Sequence, residues 1–344
     1  MRGNLNIKTE ITKIHYNKNA KGTLVKLLEF ASIFYGAGSS LKNLLYDKHI
    51  LKPKKVDAFV ISVGNITTGG VGKTPVVSEI AKYFISKGDK TAIISRGYGG
   101  KLSNKNINII SDGEKIYYNA RLAGDEPFWL ATNTKSAIVI TSKNRYEASK
   151  YAIKNFGVTK IILDDGFQHR KLHRDLDIVL MDSEKGFGNE KLLPAGPLRE
   201  GPESFKRIDR LVIVSKNIDH SRAEKLAKIM QKKLNVQTQV CRTEPDYVYN
   251  IKTNEYLEEG SKITALCAIG QPEQFFNFLK DYDIKEKIAF DDHHIYKEED
   301  IPEGTIITTE KDAVKMLNFN RCDIYALKLK IVIDIEQLMN TSTL

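Results

Sequence analysis

The stretch that most constrains what this chain can fold into is Val60-Ile61-Ser62-Val63-Gly64-Asn65-Ile66-Thr67-Thr68-Gly69-Gly70-Val71-Gly72-Lys73-Thr74-Pro75. An apolar, strand-like run ends in a glycine-rich turn and continues as a helical pattern through Val76, Val77, Ile80, Ala81 and Phe84. Strand, glycine turn, Lys-Thr and helix make the arrangement that wraps phosphate groups. The glycines let successive N–H groups point into one concavity, and the helix N-terminus adds partial positive charge. Thr67, Thr68, Gly69, Gly70, Val71, Gly72, Lys73 and Thr74 are therefore the nucleotide-binding candidates, with Lys73 for the β- and γ-phosphates and Thr74 for Mg²⁺. The usual G-x-x-x-x-G-K-[ST] spacing would place its first glycine where this chain has Thr67, so the loop is a variant. The plainer alternative is a glycine-rich turn in an α/β protein that binds no nucleotide.

After the loop, strand-like and helical stretches alternate. Strands are expected at Ala58–Val63, Thr91–Ser95, Ala137–Thr141, Lys160–Leu163, Ile178–Met181 and Leu211–Val214, with helices at Pro75–Lys87, Glu126–Thr132 and Asn144–Asn155. That rhythm predicts an α/β fold of the P-loop NTPase type, with a mainly parallel sheet covered on both faces and ligands at the carboxyl ends of its strands. Leu193-Pro194-Ala195-Gly196-Pro197-Leu198-Arg199 reads as a long loop. A helix follows near 221–234, then two strands over 236–258 joined by a Thr253-Asn254 turn, as a β-linker. Strands and helices then resume. The division is a basic segment over 1–55, a P-loop lobe over 56–235, a two-stranded linker over 236–258 and a smaller α/β lobe over 259–344.

The 344 residues carry a net charge of +10, and residues 1–55 hold most of it: Arg2 and ten lysines against Glu10, Glu29 and Asp47. Such a segment suits an anionic surface, whether membrane, nucleic acid or polyanionic substrate. Residues 1–22 are polar and are expected to be loosely ordered. Leu24, Leu27, Leu28, Ala31, Phe34 and Tyr35 then recur at helical spacing, until Gly36-Ala37-Gly38-Ser39-Ser40 is expected to break the helix before a second short one at Leu41, Leu44 and Leu45. This is either an interfacial amphipathic anchor or a helix packed on the domain with a solvated basic face. No run of 18 or more apolar residues suggests a transmembrane helix. Cys241, Cys267 and Cys322 lack metal spacing, which argues against a disulfide framework or a zinc site.

Several motifs carry possible chemistry. Ile161-Ile162-Leu163-Asp164-Asp165-Gly166-Phe167-Gln168-His169-Arg170 ends an apolar strand in two carboxylates, the way P-loop enzymes place the groups that hold Mg²⁺. The alternative is a pair that caps the next turn. In Ala123-Gly124-Asp125-Glu126-Pro127, Asp125 is either a helix cap or an acceptor for a hydroxyl proton. Phe290-Asp291-Asp292-His293-His294-Ile295-Tyr296 offers histidines for a base, a metal or a surface turn. Ser95-Arg96-Gly97-Tyr98-Gly99-Gly100 follows a strand, and Arg199 and Arg207 flank the Pro/Gly loop. Arg96, Tyr98, Arg199 and Arg207 are the substrate-binding candidates, with solvated loop residues as the alternative. Thr308-Thr309-Glu310-Lys311-Asp312 marks another strand-to-helix junction. Neither Lys311-Asp312 nor Lys216-Asn217-Ile218-Asp219 has the [NT]-K-x-D spacing of a guanine reader, which favours ATP.

Taken together, the SVGNITTGGVGKTP loop, SRGYGG, GDEP, DDGFQHR with Leu172-His173-Arg174-Asp175, LLPAGPLRE, the DHH stretch and TTEKD resemble the lipid A 4′-kinases (tetraacyldisaccharide 4′-kinases). The resemblance leaves out the first 20 residues. It implies transfer of the ATP γ-phosphate to the 4′-hydroxyl of a tetraacyl glucosamine disaccharide 1-phosphate in lipid A biosynthesis. It places the protein peripherally on the cytoplasmic face of a bacterial inner membrane and reads the N-terminal helix as an anchor. It implies ATP and Mg²⁺, an anionic membrane surface, no nucleic acid and no obligatory protein partner. By similarity, Asp125 is the base paired with His293, preferred over His294; Asp164, Asp165, Thr74 and Glu126 form the metal surroundings; and Lys73 serves catalysis. The alternative is a membrane-targeted P-loop ATPase switch that acts through a protein partner.

Overall fold

The computed structural model describes residues 10–103, 105–270, 272–291 and 294–340. It divides into two compact units. The first comprises the chain to Val214, Arg222–Val240 and the segment from Asp334 onward; the second comprises Ser215–Ser221 and Cys241–Ile333.

The first unit is built on β1 (Phe59–Asn65), β2 (Thr91–Ser95), β3 (Asn108–Asp112), β4 (Ile138–Thr141), β5 (Lys160–Asp164), β6 (Leu176–Asp182) and β7 (Arg210–Ser215). Their order is β7-β6-β1-β5-β2-β4-β3, parallel throughout except for β3 against β4. The expected strands are present, with ends shifted by at most two residues. The edge strand β3 is missed by the pattern, because only Ser111 and Ile110 of its five residues are buried. The central strands read as unbroken apolar runs because both faces are covered. On one side Val60, Ile94, Ile140, Ile161 and Leu163 pack with Ala148 and Ala152. On the other Phe167, Val179, Met181 and Ile213 pack with Ala227 and Met230.

Helices fill the crossovers: α1 (Thr23–Asp47) precedes the sheet, and α2 (Lys73–Ser86), α3 (Ala120–Ala123), α4 (Asp125–Asn133), α5 (Arg145–Phe156) and α6 (Ser221–Leu234) follow in order. The β1–β5 register pairs Val63 with Asp164. The glycine loop and the Asp164-Asp165 turn therefore leave the same edge of the sheet side by side.

Two expectations for the N-terminal segment are corrected. Of residues 1–22, expected to be loosely ordered, residues 1–9 lie outside the described residues; residues 10–15 are helical, and the segment that follows is tied down. His15 Nε2 lies 3.0 Å from the Pro194 carbonyl, and Tyr16 Oη donates to the Thr68 carbonyl at 3.2 Å. Nor do Gly36 and Gly38 break the helix: α1 is continuous over 25 residues. A helical glycine costs only about 1 kcal/mol relative to alanine. Contacts along the length of α1 offset that cost: Glu29 pairs with Lys191, Tyr35 Oη donates to the Arg199 carbonyl (2.9 Å), Asn43 Nδ2 donates to Glu200 (3.1 Å) and Arg170 pairs with Asp47 (2.7 Å). At Gly36 a Cβ would approach Leu192 Cδ1 to 2.8 Å, so the small residue permits close packing there.

The second unit contains β8 (Gln237–Asn250, most of it), β9 (Lys262–Cys267), α7 (Pro272–Phe278), β10 (Asp283–Ala289), β11 (Ile306–Thr309), α8 (Glu310–Met316) and β12 (Ile324–Val332). Strands β10-β9-β11-β12 are parallel neighbours and β8 is antiparallel to β12. The expected return strand at the end of 236–258 is not formed; Tyr256 makes only an isolated bridge to Tyr249. The antiparallel partner of β8 is β12, with Val332 opposite Arg242. The chain then enters α9 (Ile335–Met339), and this segment groups with the first unit, whereas the sequence pattern runs the smaller lobe to the C-terminus. A non-local strand pair of this kind leaves no signature in a local pattern.

Candidate active site

The glycine loop connects β1 to α2. Gly69 (φ 109°) and Gly72 (φ 92°, ψ 32°) occupy backbone conformations that side-chain-bearing residues rarely adopt. A Cβ on Gly70 would meet no atom within 4 Å, so the loop faces open space. Gly72 precedes α2 with no side-chain cap, which leaves the first N–H groups of a 14-residue helix for an anion. The variant position is explained by what the front of the loop pairs with. Thr67 forms an antiparallel bridge to Leu198, Thr68 N–H donates to the Pro197 carbonyl (2.7 Å) and Arg199 N–H donates to the Ile66 carbonyl (2.7 Å). Residues 66–68 are thus held against the LLPAGPLRE segment by an isolated bridge and two backbone hydrogen bonds, and need no glycine at 67. The sequence showed that segment as a loop but not as the glycine loop's partner.

The turn after β5 lies against this loop. A Cβ on Gly64 would sit 2.9 Å from the Phe167 backbone nitrogen, and Gly166 N–H donates to the Val63 carbonyl at 3.2 Å, so the two segments touch backbone to backbone. Asp165 adopts φ 55°, an uncommon conformation that aspartate tolerates better than most residues. Arg145, buried at the start of α5, holds the turn: its guanidinium donates to the carbonyls of Asp165 (2.8 Å) and Asp164 (2.9 Å). No sequence signal had marked Arg145, beyond an arginine opening a helix.

The turn collects charge. Lys73 Nζ lies 3.6 Å from Asp165 Oδ1, and Arg199 Nη1 lies 2.8 Å from both oxygens of the same carboxylate. Burial alone would raise the Asp165 carboxyl; Lys73 and Arg199 outweigh it and hold the group below its usual range. Asp164 behaves oppositely. It is buried, its Oδ1 has no hydrogen-bond partner, and burial, reinforced by the nearby Glu126 carboxylate, pushes it up to about 7. A buried, unpartnered carboxylate oxygen beside a second carboxylate fits a divalent cation. The described residues contain no ready-made group of three metal-ligating side chains.

Asp125 opens α4 and is exposed; Gly124 is the cap position, so Asp125 is the first helical residue. Two glycines seat it. A Cβ on Gly124 (φ 95°) would lie 2.7 Å from the Tyr98 carbonyl, and one on Gly100 would lie 2.6 Å from the Leu122 carbonyl. The SRGYGG and GDEP segments therefore pack backbone on backbone. Arg96 and Tyr98 are exposed in this loop, Tyr98 at 88%.

The structure thus brings together Lys73, Asp164, Asp165, Glu126 and Arg199. Arg207 is engaged elsewhere: it pairs with buried Glu200 (2.5 Å), donates to the Phe167 carbonyl (3.2 Å) and stacks 4.4 Å from the Phe167 ring centre. That geometry leaves it holding the fold, not open to an anion. His169, in the DDGFQHR motif, is pushed down to about 3 by burial and by Arg145 and Arg174, which favours its neutral imidazole.

In the second unit, His293 and Asp292 lie outside the described residues. His294 is in structural use: its ring stacks on Phe290 with 4.4 Å between centres, and Nε2 lies 3.2 Å from Asp300 Oδ2. The TTEKD segment forms the start of α8, where the Thr309 side chain caps the Asp312 N–H.

A P-loop fold with a lysine loop, an adjacent pair of carboxylates and a seated, exposed aspartate defines a phosphotransfer enzyme of the nucleoside-triphosphate class. Residues 24–343 match the family described as tetraacyldisaccharide-1-P 4′-kinase, and the chain belongs to that family. It is 36% identical to a tetraacyldisaccharide 4′-kinase of Halothermothrix orenii, covering 87% of this chain and 88% of that protein. A relative of the same name from Desulfotalea psychrophila is 39% identical over 84% of this chain and 87% of its own length. Among solved structures, LpxK from Aquifex aeolicus in complex with ATP superposes with a TM-score of 0.74 at 31% identity, over 92% of this chain and 97% of that one.

Proposed function

We propose that this chain transfers the γ-phosphate of ATP to the 4′-hydroxyl of a tetraacyl glucosamine disaccharide 1-phosphate, as a lipid A kinase on the cytoplasmic face of a bacterial inner membrane. The observation that carries the reading is the meeting of Lys73 with the Asp164-Asp165 turn at the carboxyl edge of the sheet, in a chain that the family matches almost end to end. Residues 67–74 wrap the phosphates, and Lys73 neutralises charge on the β- and γ-groups. Arg199, already turned toward the same edge by Asp165, supplies a second cation. Asp164, Asp165 and Thr74, with Glu126 nearby, would hold Mg²⁺, which neutralises phosphate charge and helps align the transfer. Asp125, exposed at the start of α4, takes the proton from the attacking hydroxyl. His293 is assigned to the same proton transfer on family resemblance. Arg96 and Tyr98 are the candidates for the acceptor side.

Support for a membrane-borne acceptor comes from α1. Its polar side is bonded to the first unit, and of its 25 residues only Val25 and Asn43 are buried. Leu27, Phe30, Ile33 and Phe34 are 60–66% exposed, in the most basic part of the chain. An exposed apolar helix face flanked by lysines is the chemistry of interfacial binding, with each lysine near an anionic leaflet contributing about 1 kcal/mol. No helix among the described residues is long and apolar enough to cross a membrane. ADP release measured with and without detergent-dispersed acceptor tests the reading. A kinase releases ADP in proportion to acceptor, whereas equal rates in both would favour the ATPase switch.

A further inference from the structure

The last residue of β1 carries a side chain that the proposed reaction does not use. Asn65 is fully buried. Its amide oxygen accepts from Lys73 Nζ at 3.1 Å, and its amide nitrogen donates to the Thr67 carbonyl at 2.5 Å. Its backbone carbonyl in turn accepts from Gln168 Nε2 at 3.0 Å, and Gln168 Oε1 lies 3.4 Å from Arg199 Nη1. One amide thus bridges the two halves of the phosphate loop, its front at Thr67 and its lysine at the start of α2. The hydrogen bond from Lys73 goes to this amide, because Asp165 at 3.6 Å is an ion-pair neighbour beyond hydrogen-bond length.

We propose that Asn65 is a positioning residue for the triphosphate. It holds the Lys73 ammonium at the loop without neutralising it, and it fixes the Thr67 carbonyl turned inward, away from arriving phosphate. Only an amide of this length does both. Aspartate could accept from Lys73 but has no donor for the Thr67 carbonyl, and an aliphatic residue does neither. The amide also accounts for the variant loop: where the common pattern relies on glycine at the first position, this chain fixes residue 67 by a side-chain bond from two residues back. The inference rests on Lys73 being the phosphate-binding lysine, and it adds a consequence of its own. Asn65 should govern affinity for nucleotides that carry β- and γ-phosphates and not affinity for the nucleoside part.

The experiment compares wild type, Asn65→Ala, Asn65→Asp and Lys73→Met as full-length proteins. Dissociation constants for ATP and AMP are measured by calorimetry, alongside kcat and KM for ATP and the melting temperature. Losing a hydrogen bond to a charged partner predicts about a tenfold or greater loss of ATP affinity for Asn65→Ala. AMP affinity should stay near wild type, whereas kcat should fall together with ATP affinity, because Lys73 is no longer held at the loop. Asn65→Asp, which keeps the shape but adds charge where phosphate arrives, should lose at least as much. If Asn65→Ala does not fold, the nearly isosteric Asn65→Asp carries the same comparison. Unchanged ATP affinity in the Asn65 variants, or equal losses for ATP and AMP, would overturn the proposal. If Lys73→Met itself leaves ATP affinity unchanged, the phosphate-loop reading falls first. If Lys73→Met loses ATP and the Asn65 variants do not, the positioning role alone falls.

Discussion

Asp164→Asn should make the nucleotide-free protein more stable at alkaline pH while abolishing turnover. The Asp164 carboxyl is fully buried and pushed from 3.8 up to about 7, chiefly by burial and then by Glu126. The folded state therefore holds this proton more tightly than the unfolded chain does. The associated stability is complete below pH 3.8 and is lost as pH rises through about 7. Each tenfold change in proton affinity is worth about 1.4 kcal/mol, so the charged form costs at most about 4 kcal/mol well above neutral pH. Local relaxation around the charge brings this to about 2–4 kcal/mol. A neutral amide of the same shape escapes that cost. For a unit of this size it corresponds to a rise of on the order of 5–10 °C in melting temperature at about pH 8.5, falling to under half of that at about pH 5 and toward zero only below the unfolded value of 3.8. Differential scanning fluorimetry in EDTA at the two pH values reads the effect directly. Added Mg²⁺ with ATP should stabilise wild type more than the variant. Asp164→Asn melting below wild type at the alkaline pH, or a difference independent of pH, would refute the reasoning that a buried carboxylate is held in reserve for a cation.

Other outcomes follow from the same geometry. Asp125→Ala should lower kcat by about 10²–10⁴ with KM for ATP little changed, as expected for a lost proton acceptor; steady-state kinetics with saturating acceptor decide it. Glu200→Ala strands the Arg207 guanidinium and the buried Asn43 amide, and should cost about 3–5 kcal/mol in denaturant unfolding. Phe30→Ser combined with Phe34→Ser removes apolar groups that are already exposed, so flotation on anionic vesicles should weaken while melting temperature stays put. Gly124→Ala forces a side chain into a positive-φ position 2.7 Å from the Tyr98 carbonyl. It should cost about 1–3 kcal/mol in thermal unfolding and depress kcat by displacing Asp125.

Much of the core was legible because buried parallel strands write themselves as unbroken apolar runs; β2 was bounded to the residue as Thr91–Ser95. Half-buried β3 left no such run. The glycines of 36–40 suggested a break because local propensity was the only signal, whereas bonds from α1 to residues 168–200 decide the matter. In the site, Lys73 and the Asp164-Asp165 pair stood out by residue type and position at strand ends. Asn65, Arg145 and Gln168 did not, since each acts by hydrogen bonds to backbone or to a remote side chain that spacing cannot show. Arg207 looked like an anion clamp from its loop, and only the buried Glu200 carboxylate beside it reveals where its charge is used.

The central claim is phosphoryl transfer to a lipid hydroxyl, and the most direct measurement follows the phosphate. The protein is incubated with γ-labelled ATP, Mg²⁺ and detergent-dispersed tetraacyl disaccharide 1-phosphate, and the lipid and aqueous products are separated. The account predicts label in the lipid as a second, 4′-linked phosphate, formed in step with ADP and absent for Lys73→Met. Label released only as inorganic phosphate, at a rate indifferent to the acceptor, would contradict it.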